Sequence, residues 1–325
     1  MKTILVFGFV SVFMFFNIGC AASKRAEQGS GPQVKFVQGE DKIDVMIGGE
    51  LFTSYMYGGE LTKPVLYPVK TPSGIKVNRG APFEEIEGEK TDHPHHVGIF
   101  FTYDKVNGAG FWNNSTSPPQ IVHKKVTAMK GGRGKGKLCT VMDWTGMNEN
   151  VLLKETRTMV FTAGEGQYAI DFSIDLTAQD KKVVFGDTKE GMFAIRAAQW
   201  LRERDETGHY ISSNGDKTAK KIWGKRARWV SLEGDKDGKE VGIAILNYKP
   251  STNYPTYWHA RNYGLFSANP LGQGDFQRRR KLSDPKPFAL TLEPGESAHF
   301  NFYMVIYDGK RTPEQIENMF AGFSK

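Results

Sequence analysis

"YAIDFSIDLT" (residues 168–177) alternates apolar and polar side chains without a break. The apolar positions are Tyr168, Ile170, Phe172, Ile174 and Leu176. Successive side chains of a β-strand point to opposite faces of the sheet, so this period of two predicts a strand with one buried face and one wetter face.

The same period recurs along most of the chain and predicts an antiparallel all-β protein. Further strands are predicted at 43–47, 51–57, 97–103, 138–144, 156–163, 181–185, 192–198, 227–233, 241–247, 288–293 and 298–307. Turn sequences such as "EGDKDGK" (233–239) and "EPGE" (293–296) separate them. Because the chain has no internal repeat, heptad pattern or long low-complexity linker, we expect one large, supersandwich-like β-sandwich rather than two tethered domains.

Only the C-terminal segment has the pattern of a helix. Thr312 can act as the N-cap, Pro313 suits the first helical position, and Gln315 completes a capping box. Ile316 and Phe320 follow at helical spacing. The sequence therefore predicts one short C-terminal helix.

The N-terminus predicts export. Residues 1–20 contain a Lys, then an apolar run from Ile4 to Phe16, then small residues, which is the layout of a secretory signal. "NIGC" resembles a bacterial lipobox in which Cys20 is lipidated, although Asn17 replaces the usual Leu. We expect a lipoprotein, periplasmic or anchored to the outer membrane, with simple export as the alternative.

Residues 21–33 are predicted to be a flexible tether and residues 34–325 the sandwich domain. After the leader, no apolar run approaches the roughly 18–20 residues that span a bilayer. Any membrane contact would therefore be made through the lipid anchor. If Cys20 is lipidated or removed, Cys139 has no partner, so the core must hold this fold without an intrachain disulfide.

The charge pattern excludes nucleic acid as an expected partner. The formal net charge is +7 over 325 residues. The basic runs, "KGGRGKGK" (130–137) and "RRRK" (278–281), are short, and no motif of a nucleic-acid-binding fold accompanies them. Such runs are more often solvated loops.

Three of the seven histidines lie in "DHPHH" (92–96). Histidine titrates near neutrality, and it can carry protons or ligate metal. Pro94 disfavours a helical conformation at His93, so the run is expected to be an extended or turning approach to the next strand. If it is extended, His93 and His95 share a face and His96 opposes them, and the pair on one face could bind one metal ion or bracket one substrate.

The following stretch, "YDKVNGAGFWNN" (103–114), combines aromatic rings with amides. Asn107 begins an Asn-Gly turn, and Trp112 precedes Asn113 and Asn114. A sugar offers an apolar face and a rim of hydroxyls, so ring stacking and amide hydrogen bonds suit it together. The alternative is a Trp buried in the core of the sandwich.

"FGDTKEGMFAIR" (185–196) places three charged residues, Asp187, Lys189 and Glu190, between two predicted strands. A carboxylate beside an ammonium stays ionised and can act as a base or a ligand. A solvated charged turn explains the pattern equally well.

"PTYWHARNYG" (255–264) concentrates rings and polar donors within a few positions. They are Tyr257, Trp258, His259, Arg261, Asn262 and Tyr263. With a period of two, Tyr257, His259 and Arg261 lie on one face and could meet the first histidine cluster across a cleft. The Arg would then bind a carboxylate or an oxyanion.

Five ordered stretches resemble a bacterial family of unknown function labelled PmoA-like. They are "KPVLYPVKTPSGIKVNRG", "DHPHHVGIFFTYDKVNGAGFW", "FGDTKEGMFAIR", "WGKRARWV" and "PTYWHARNYGLFSANPLG". The resemblance covers the chain from about Val34 onward and implies an exported β-sandwich protein, often from polysaccharide-degrading bacteria, without an established reaction. Val97 departs from the Arg expected in many relatives, so a contact made by that Arg would be missing.

The PmoA-like label suggests a methane monooxygenase subunit, and the sequence argues against that function. The chain has an export signal, lacks membrane spans after it, and offers only a few histidines for copper. The label is therefore interpreted as misleading.

The leading hypothesis is an exported carbohydrate-active enzyme that uses acid–base catalysis on a sugar or glycoside, as an epimerase, a lyase or a hydrolase. Its candidate catalytic residues are His93, His95 and His96 for proton transfer, Asp187 or Glu190 as the opposing base, and His259 and Arg261 for stabilising negative charge. Its candidate substrate-binding residues are Asn107, Trp112, Lys189, Tyr257, Trp258 and Tyr263.

Two alternatives stay open. In the first, two histidines joined by Asp187, Glu190 or His259 hold a divalent zinc, iron or manganese ion, although no H-E-x-x-H motif is present. In the second, the motifs form the pocket of a non-catalytic glycan-binding lipoprotein. All three hypotheses share a carbohydrate or small molecule as the ligand.

Overall fold

The computed structural model describes Met1 and residues 30–112, 118–204 and 206–323. The predicted leader with Cys20, most of the predicted tether, and Asn113 and Asn114 lie outside the described residues. The strands are β1 (Gln33–Gln38), β2 (Lys42–Ile47), β3 (Glu50–Met56), β4 (Val65–Tyr67), β5 (Ile99–Tyr103), β6 (Gln120–Lys130), β7 (Gly132–Arg133), β8 (Lys135–Thr145), β9 (Val151–Gly164), β10 (Gln167–Ala178), β11 (Val183–Phe185), β12 (Gly191–Arg196), β13 (His209–Ser212), β14 (Trp229–Lys236), β15 (Lys239–Asn247), β16 (Tyr257–Ala260), β17 (Leu265–Asn269), β18 (Leu290–Leu292) and β19 (Ser297–Asp308). The helices are α1 (Ala219–Ile222), α2 (Gln273–Arg279) and α3 (Pro313–Phe323).

Within the described part of the chain, the strands form two large antiparallel sheets, which confirms the predicted all-β sandwich. One sheet has the order β16-β17-β12-β5-β4-β3-β2-β1-β7, and the other has the order β13-β14-β15-β19-β10-β9-β8-β6. Strands β11 and β18 form a separate pair. Gln33, the last residue of the predicted tether, already pairs with Arg133.

The alternating stretch of residues 168–177 lies in a central strand, β10, between β9 and β19. Its residues alternate between buried and partly exposed from Phe172 to Ala178, and Ile170 is also fully buried. The period of two is therefore the pattern of a strand whose inner face packs against the other sheet.

The core lies between the two sheets and contains stacked aromatic rings. Phe193 of β12 lies 4.6 Å from Phe302 of β19, ring centroid to ring centroid, and 4.7 Å from Phe172 of β10. Phe101 of β5 approaches Phe300 of β19 at 5.8 Å. Burial of this apolar surface drives the folding. Cys139 is buried and free.

The predicted C-terminal helix is present as α3, and it packs on the outer face of the eight-stranded sheet. Thr312 and Gln315 form the capping box: the Thr312 N–H donates to the Gln315 side chain at 2.8 Å, and the Gln315 N–H donates to the Thr312 hydroxyl at 3.2 Å. The Trp229 indole N–H donates to Glu317 at 2.7 Å. The sequence did not indicate α1 and α2, and none of the described helices is long and apolar enough to cross a membrane.

Candidate active site

The outer face of the nine-stranded sheet carries a row of four aligned side chains across β16, β17, β12 and β5. His259 pairs with Ser267, Ser267 with Ala194, and Ala194 with Phe100. Directly opposed residues share a face of the sheet, and three strand spacings of about 4.8 Å separate the two ends of the row. Because Ser267 and Ala194 are small, a cavity can form above them between His259 and Phe100.

A cavity of about 310 Å³ lies on this face. Its lining residues are His93, His95, His96, Asp104, Trp112, Lys189, Glu190, His259, Arg261 and Tyr263. Its volume is at the lower end of the range for small-molecule sites. A neighbouring cavity of about 390 Å³, lined by Glu203, Trp223 and Asn262 among others, shares Arg261 with it.

The histidine run is a turn, one of the two conformations predicted for it, so the facing of His93 and His95 that an extended run would give does not apply. His93 has a positive φ of 49°, and the His96 N–H donates to the His93 carbonyl at 3.0 Å. The turn gathers all three rings on one side: His93 stacks on His96 at 5.2 Å, and the rings of His95 and His96 lie 4.2 Å apart. The other face of the cluster rests on Phe100, whose ring is 5.9 Å from that of His96.

Two buried arginines hold the turn in place. Arg79 donates to the carbonyls of His93 at 3.0 Å and of His96 at 2.9 Å. Arg196 forms an ion pair with Asp92 at 2.6 Å. Arg79 and Arg196 are both almost completely buried. Because these bonds fix the backbone on both sides of the histidines, the rings are preorganised before any ligand arrives.

Arg196 also determines the tautomer of His96. Its Nη1 lies 3.4 Å from Nδ1 of His96. A guanidinium has only donors, so Nδ1 must accept and the proton of the neutral ring lies on Nε2. Nε2 is buried and has no hydrogen-bond partner in the described structure. His96, a residue of the cavity lining, therefore carries a buried, unsatisfied N–H group.

His259 has the opposite protonation. Its Nδ1 lies 3.0 Å from the carbonyl oxygen of Lys189. A carbonyl can only accept, so Nδ1 carries the proton and Nε2 keeps a free lone pair. His259 thus offers an acceptor where His96 offers a donor.

Burial and nearby cations keep these histidines neutral. Burial, followed by the charges on Lys189 and Arg261, lowers the pKa of His259 to about 3. Burial and then Lys63 lower the pKa of His95 to about 4. Burial, reinforced by His95 and Arg196, holds the pKa of His96 well below its ordinary value. At neutral pH the rings therefore act without charge.

Carboxylates lie at the other end of the cavity, where β5 ends and β12 begins. The Asp104 N–H donates to the Glu190 carbonyl at 3.1 Å, so the two residues are neighbours across the strands. Glu190 is ion-paired with Lys189. Burial raises the pKa of Asp104. The cavity thus has histidines on two sides and carboxylates on a third.

The structure places two predicted site residues elsewhere, Asp187 and Asn107. The Asp187 carboxylate accepts from the N–H groups of Gly274 at 2.7 Å and Asp275 at 2.6 Å, at the start of α2. Asn107 bridges its turn to β11 through the backbone of Val184 at 2.8 Å. Neither lines the cavity, because these side chains satisfy backbone donors in loops.

Tyr257 and Trp258 also lie outside the cavity. The Tyr257 ring stacks on Phe276 and lies 4.6 Å from the Arg226 guanidinium. Trp258 is fully buried on the inner face of β16, where its indole N–H donates to the Ala227 carbonyl at 3.0 Å. Trp258 is therefore a core residue and not the predicted substrate contact, since its neighbour His259 takes the outward position.

Sequence reasoning missed four residues that shape the site: Lys63, Arg79, Asp104 and Arg196. Three of them belong to the quoted stretches "KPVLYPVKTPSGIKVNRG" and "FGDTKEGMFAIR". The signal that could have found them is a single charge inside or beside an apolar strand pattern, because a charge is rarely buried without a functional or pairing reason.

The geometry does not favour the metal-dependent alternative. No group of three His, Cys, Asp or Glu side chains within residues 30–112, 118–204 and 206–323 is arranged to hold a metal ion. The rings of His95 and His96 lie close together, yet Nδ1 of His96 already faces Arg196.

Distant likenesses exist among solved structures. A galactose mutarotase related enzyme from Lactobacillus acidophilus shares 12% identity over 86% of this chain and 98% of its own, with a TM-score of 0.34. The GH36 alpha-galactosidase AgaB from Geobacillus stearothermophilus shares 9% identity over 84% of this chain and 40% of its own, with a TM-score of 0.40. A glycoside hydrolase family 97 variant from Pseudoalteromonas sp. strain K8 shares 8% identity over 84% of this chain and 34% of its own, with a TM-score of 0.37. These likenesses are too distant to carry an argument about function.

No curated protein sequence matches this chain. A family model described as a family of unknown function, DUF6807, matches residues 42–321. The match confirms the expected membership of a family without an assigned function, and it does not carry the PmoA-like label.

Proposed function

We propose that this chain, which belongs to the family of unknown function DUF6807, is an enzyme that moves protons on a sugar bound in the cavity between His96 and His259. Epimerisation, elimination and hydrolysis all need a proton donor and a proton acceptor on different sides of a sugar. The proposal covers this acid–base class and does not choose among its members.

The observation that carries the proposal is the complementary protonation of the two histidines. His96 carries an unpartnered Nε2–H because Arg196 occupies its Nδ1, and His259 keeps a free Nε2 lone pair because the Lys189 carbonyl occupies its Nδ1. A neutral imidazole N–H can stabilise negative charge that develops on an oxygen, while an imidazole lone pair can take a proton. Glu190 and Asp104 are further candidate bases at the same cavity.

Aromatic residues support a sugar as the ligand. Trp112 and Tyr263 line the cavity beside the histidines. Tyr263 stacks on His93 at 4.9 Å with nearly parallel rings. Trp112 is 2% exposed, and the Tyr263 ring also has the Arg196 guanidinium 4.9 Å from its centre. These rings therefore give the cavity an apolar wall, and the surrounding imidazole, carboxylate and guanidinium groups suit the hydroxyls of a sugar.

Export and lipidation of Cys20 are part of the same proposal, and they rest on the sequence of the leader. An exported enzyme would meet glycans outside the cytoplasm.

Proton NMR over time tests the function. The full-length protein, purified from its expression host, is mixed with a panel of mono- and oligosaccharides, including oxidised sugars. The comparison variant is His96→Asn, because Asn can still accept from Arg196 but lacks the Nε2–H group. His209→Ala serves as the control, since His209 is half exposed on β13 and pairs with Glu233.

We expect sugar signals to change with the wild type and the control and to stay constant with His96→Asn. If the sugar signals only broaden, without any change in chemical shift or intensity over time, the proposal of an enzyme is wrong and the protein is a glycan-binding protein.

A further inference from the structure

Two cations and two carboxylates line the cavity, Lys189 and Arg261 beside Asp104 and Glu190. Behind the lining lie three more cations, Lys63, Arg79 and Arg196, and one carboxylate, Asp92. Lys189 pairs with Glu190, and Arg196 pairs with Asp92. Arg261, which is exposed at the rim, has no acidic partner in the described parts of the chain, and its guanidinium lies 5.5 Å from the Tyr263 ring. A charge that the protein leaves without a counterion at a cavity is available for a ligand.

A second unpaired amine lies beneath the histidines. Lys63 is 2% exposed, its Nζ finds no hydrogen-bond partner among the described residues, and it lies 5.5 Å from the centre of the Phe100 ring. Phe100 is also the ring on which His96 rests. Burial lowers the pKa of Lys63 to about 7. The amine therefore becomes charged at little cost when an anion approaches.

The histidines report the same excess of positive charge. After burial, the largest charge effect on the pKa of His95 comes from Lys63, and those on the pKa of His259 come from Lys189 and Arg261. For His96, the effect of Arg196 follows that of the neighbouring ring of His95. No carboxylate stands among these effects. An anion in the cavity would offset the repulsion and raise all three pKa values toward their ordinary value.

We propose that the ligand of this cavity is a single sugar unit carrying a carboxylate, a uronic or aldonic acid, with Arg261 binding the carboxylate and Lys63 supplying a buried countercharge. The sugar itself rests on the proposed function, whereas the carboxylate rests on the unpaired cations. The guanidinium fork matches a carboxylate in two parallel hydrogen bonds. The cavity volume of about 310 Å³ suits one unit rather than an oligosaccharide.

Binding of such an acid makes the histidines more basic. The pKa of His95, about 4, and that of Lys63, about 7, both rise when the carboxylate arrives. The protein therefore takes up protons on binding above about pH 4 and again above about pH 7, and affinity increases as the pH falls through each window. A neutral sugar would not produce this coupling, because it brings no charge.

Isothermal titration calorimetry on the full chain tests the inference. The ligands are D-glucuronate, D-galacturonate and D-gluconate, each beside D-glucose and D-galactose. Titrations at pH 5.5 and 7.5, in buffers of different ionisation enthalpy, measure the proton uptake. The variants are Arg261→Gln and, as a matched loss of one positive charge far from the cavity, Arg228→Gln, whose side chain pairs with Glu317 near α3.

We expect a carboxylate sugar to bind with proton uptake, and Arg261→Gln to weaken it about 10- to 100-fold, as loss of charge-assisted hydrogen bonds does. Arg228→Gln should leave its affinity unchanged. Equal affinity for neutral and carboxylate sugars, binding of none of the five, or an affinity indifferent to Arg261→Gln would each overturn the inference. If this inference fails, turnover of a neutral sugar in the NMR panel would still support the proposed function. If a carboxylate sugar binds but no sugar is turned over, the inference about the ligand holds and the proposed enzymatic function fails.

Discussion

Two clusters of buried charged residues lie on opposite faces of the nine-stranded sheet. Between the sheets, the Glu155 carboxylate accepts from the Trp144 indole at 2.8 Å and from Arg157 Nε at 2.7 Å. On the outer face, Lys63 Nζ and His96 Nε2 have no hydrogen-bond partner in the described structure. The two charges of the first cluster form an ion pair, with Nη2 of Arg157 2.7 Å from the Glu155 carboxylate. The second cluster has no countercharge on Lys63 and no partner for Nε2 of His96 among the described residues. Burial of charge therefore does not by itself identify a site, whereas missing partners beside a cavity do.

The largest effect is expected from removing the free nitrogen of the outer cluster. His259→Asn keeps a donor for the Lys189 carbonyl but lacks Nε2. We expect turnover of the sugar found in the NMR panel to fall about 10²- to 10⁴-fold, as when a general base is lost, with the midpoint of urea unfolding little changed. Full turnover by this variant would exclude His259 as the base and direct attention to Glu190.

The second largest effect is expected on the free energy of unfolding, when the ion pair between the sheets is broken. Glu155→Gln leaves Arg157 buried without a countercharge, which costs about 3–5 kcal/mol of unfolding free energy. Urea unfolding measures it. Asp143→Asn is the matched control, because Asp143 makes only a long contact of 3.8 Å with the exposed Lys124 and should lose at most about 1 kcal/mol. Equal losses would mean that the inner pairing is unimportant.

The effect of replacing Lys63 on stability is expected to depend on pH. Its pKa of about 7 in the folded state lies below the value of 10.5 for an exposed lysine. Between these values the unfolded chain binds one more proton, so this residue makes stability rise with pH, and its destabilising effect is complete below pH 7. Lys63→Met should therefore be more stable than the wild type at pH 7, and this advantage should shrink by about 1 kcal/mol per pH unit toward pH 10.

Urea unfolding at pH 7, 8.5 and 10 measures the difference. Lys42→Met is the control, because Lys42 is exposed and pairs with Asp44 at 3.1 Å. An advantage of Lys63→Met that does not vary with pH would show that the amine is charged or paired in the folded protein.

The smallest effect is expected at Asp187, which the sequence suggested as a base and the structure places at the start of α2. Asp187→Asn should cost about 1–2 kcal/mol, since an amide replaces a carboxylate that accepts from Gly274, Asp275 and Phe288. Sugar turnover should stay within about twofold of the wild type. A loss of turnover as large as that of His259→Asn would show that Asp187 takes part in the reaction.

Much of the fold could be predicted because strands leave a local pattern. The alternation from Ile170 to Leu176 and the capping box at Thr312 both depend on residues close in sequence, and both appear in the structure. The helices α1 and α2 could not be predicted in the same way. Each is shorter than the window in which a helical period can be recognised, and contacts with distant residues, such as Asp187, hold α2.

The candidate site also has a part that could be predicted from the sequence and a part that could not. The residue types were visible in the sequence: three clustered histidines, a carboxylate beside a lysine, and a second stretch with His259 and Arg261. Their assembly around one cavity was a prediction from the faces of strands, and the structure places most of them there. The local pattern could not separate Asp187 from Glu190, because both lie in one charged turn.

The sequence by itself determined the β-strands and the chemical groups available to this protein, since these follow from the period of the side chains and from their types. Only the tertiary structure decided which groups lack partners and which nitrogen of each histidine carries the proton. Those properties depend on Arg196 meeting His96, and on the Lys189 carbonyl meeting His259, across strands far apart in the chain. No local pattern encodes such pairings, because strand order and register bring the residues together.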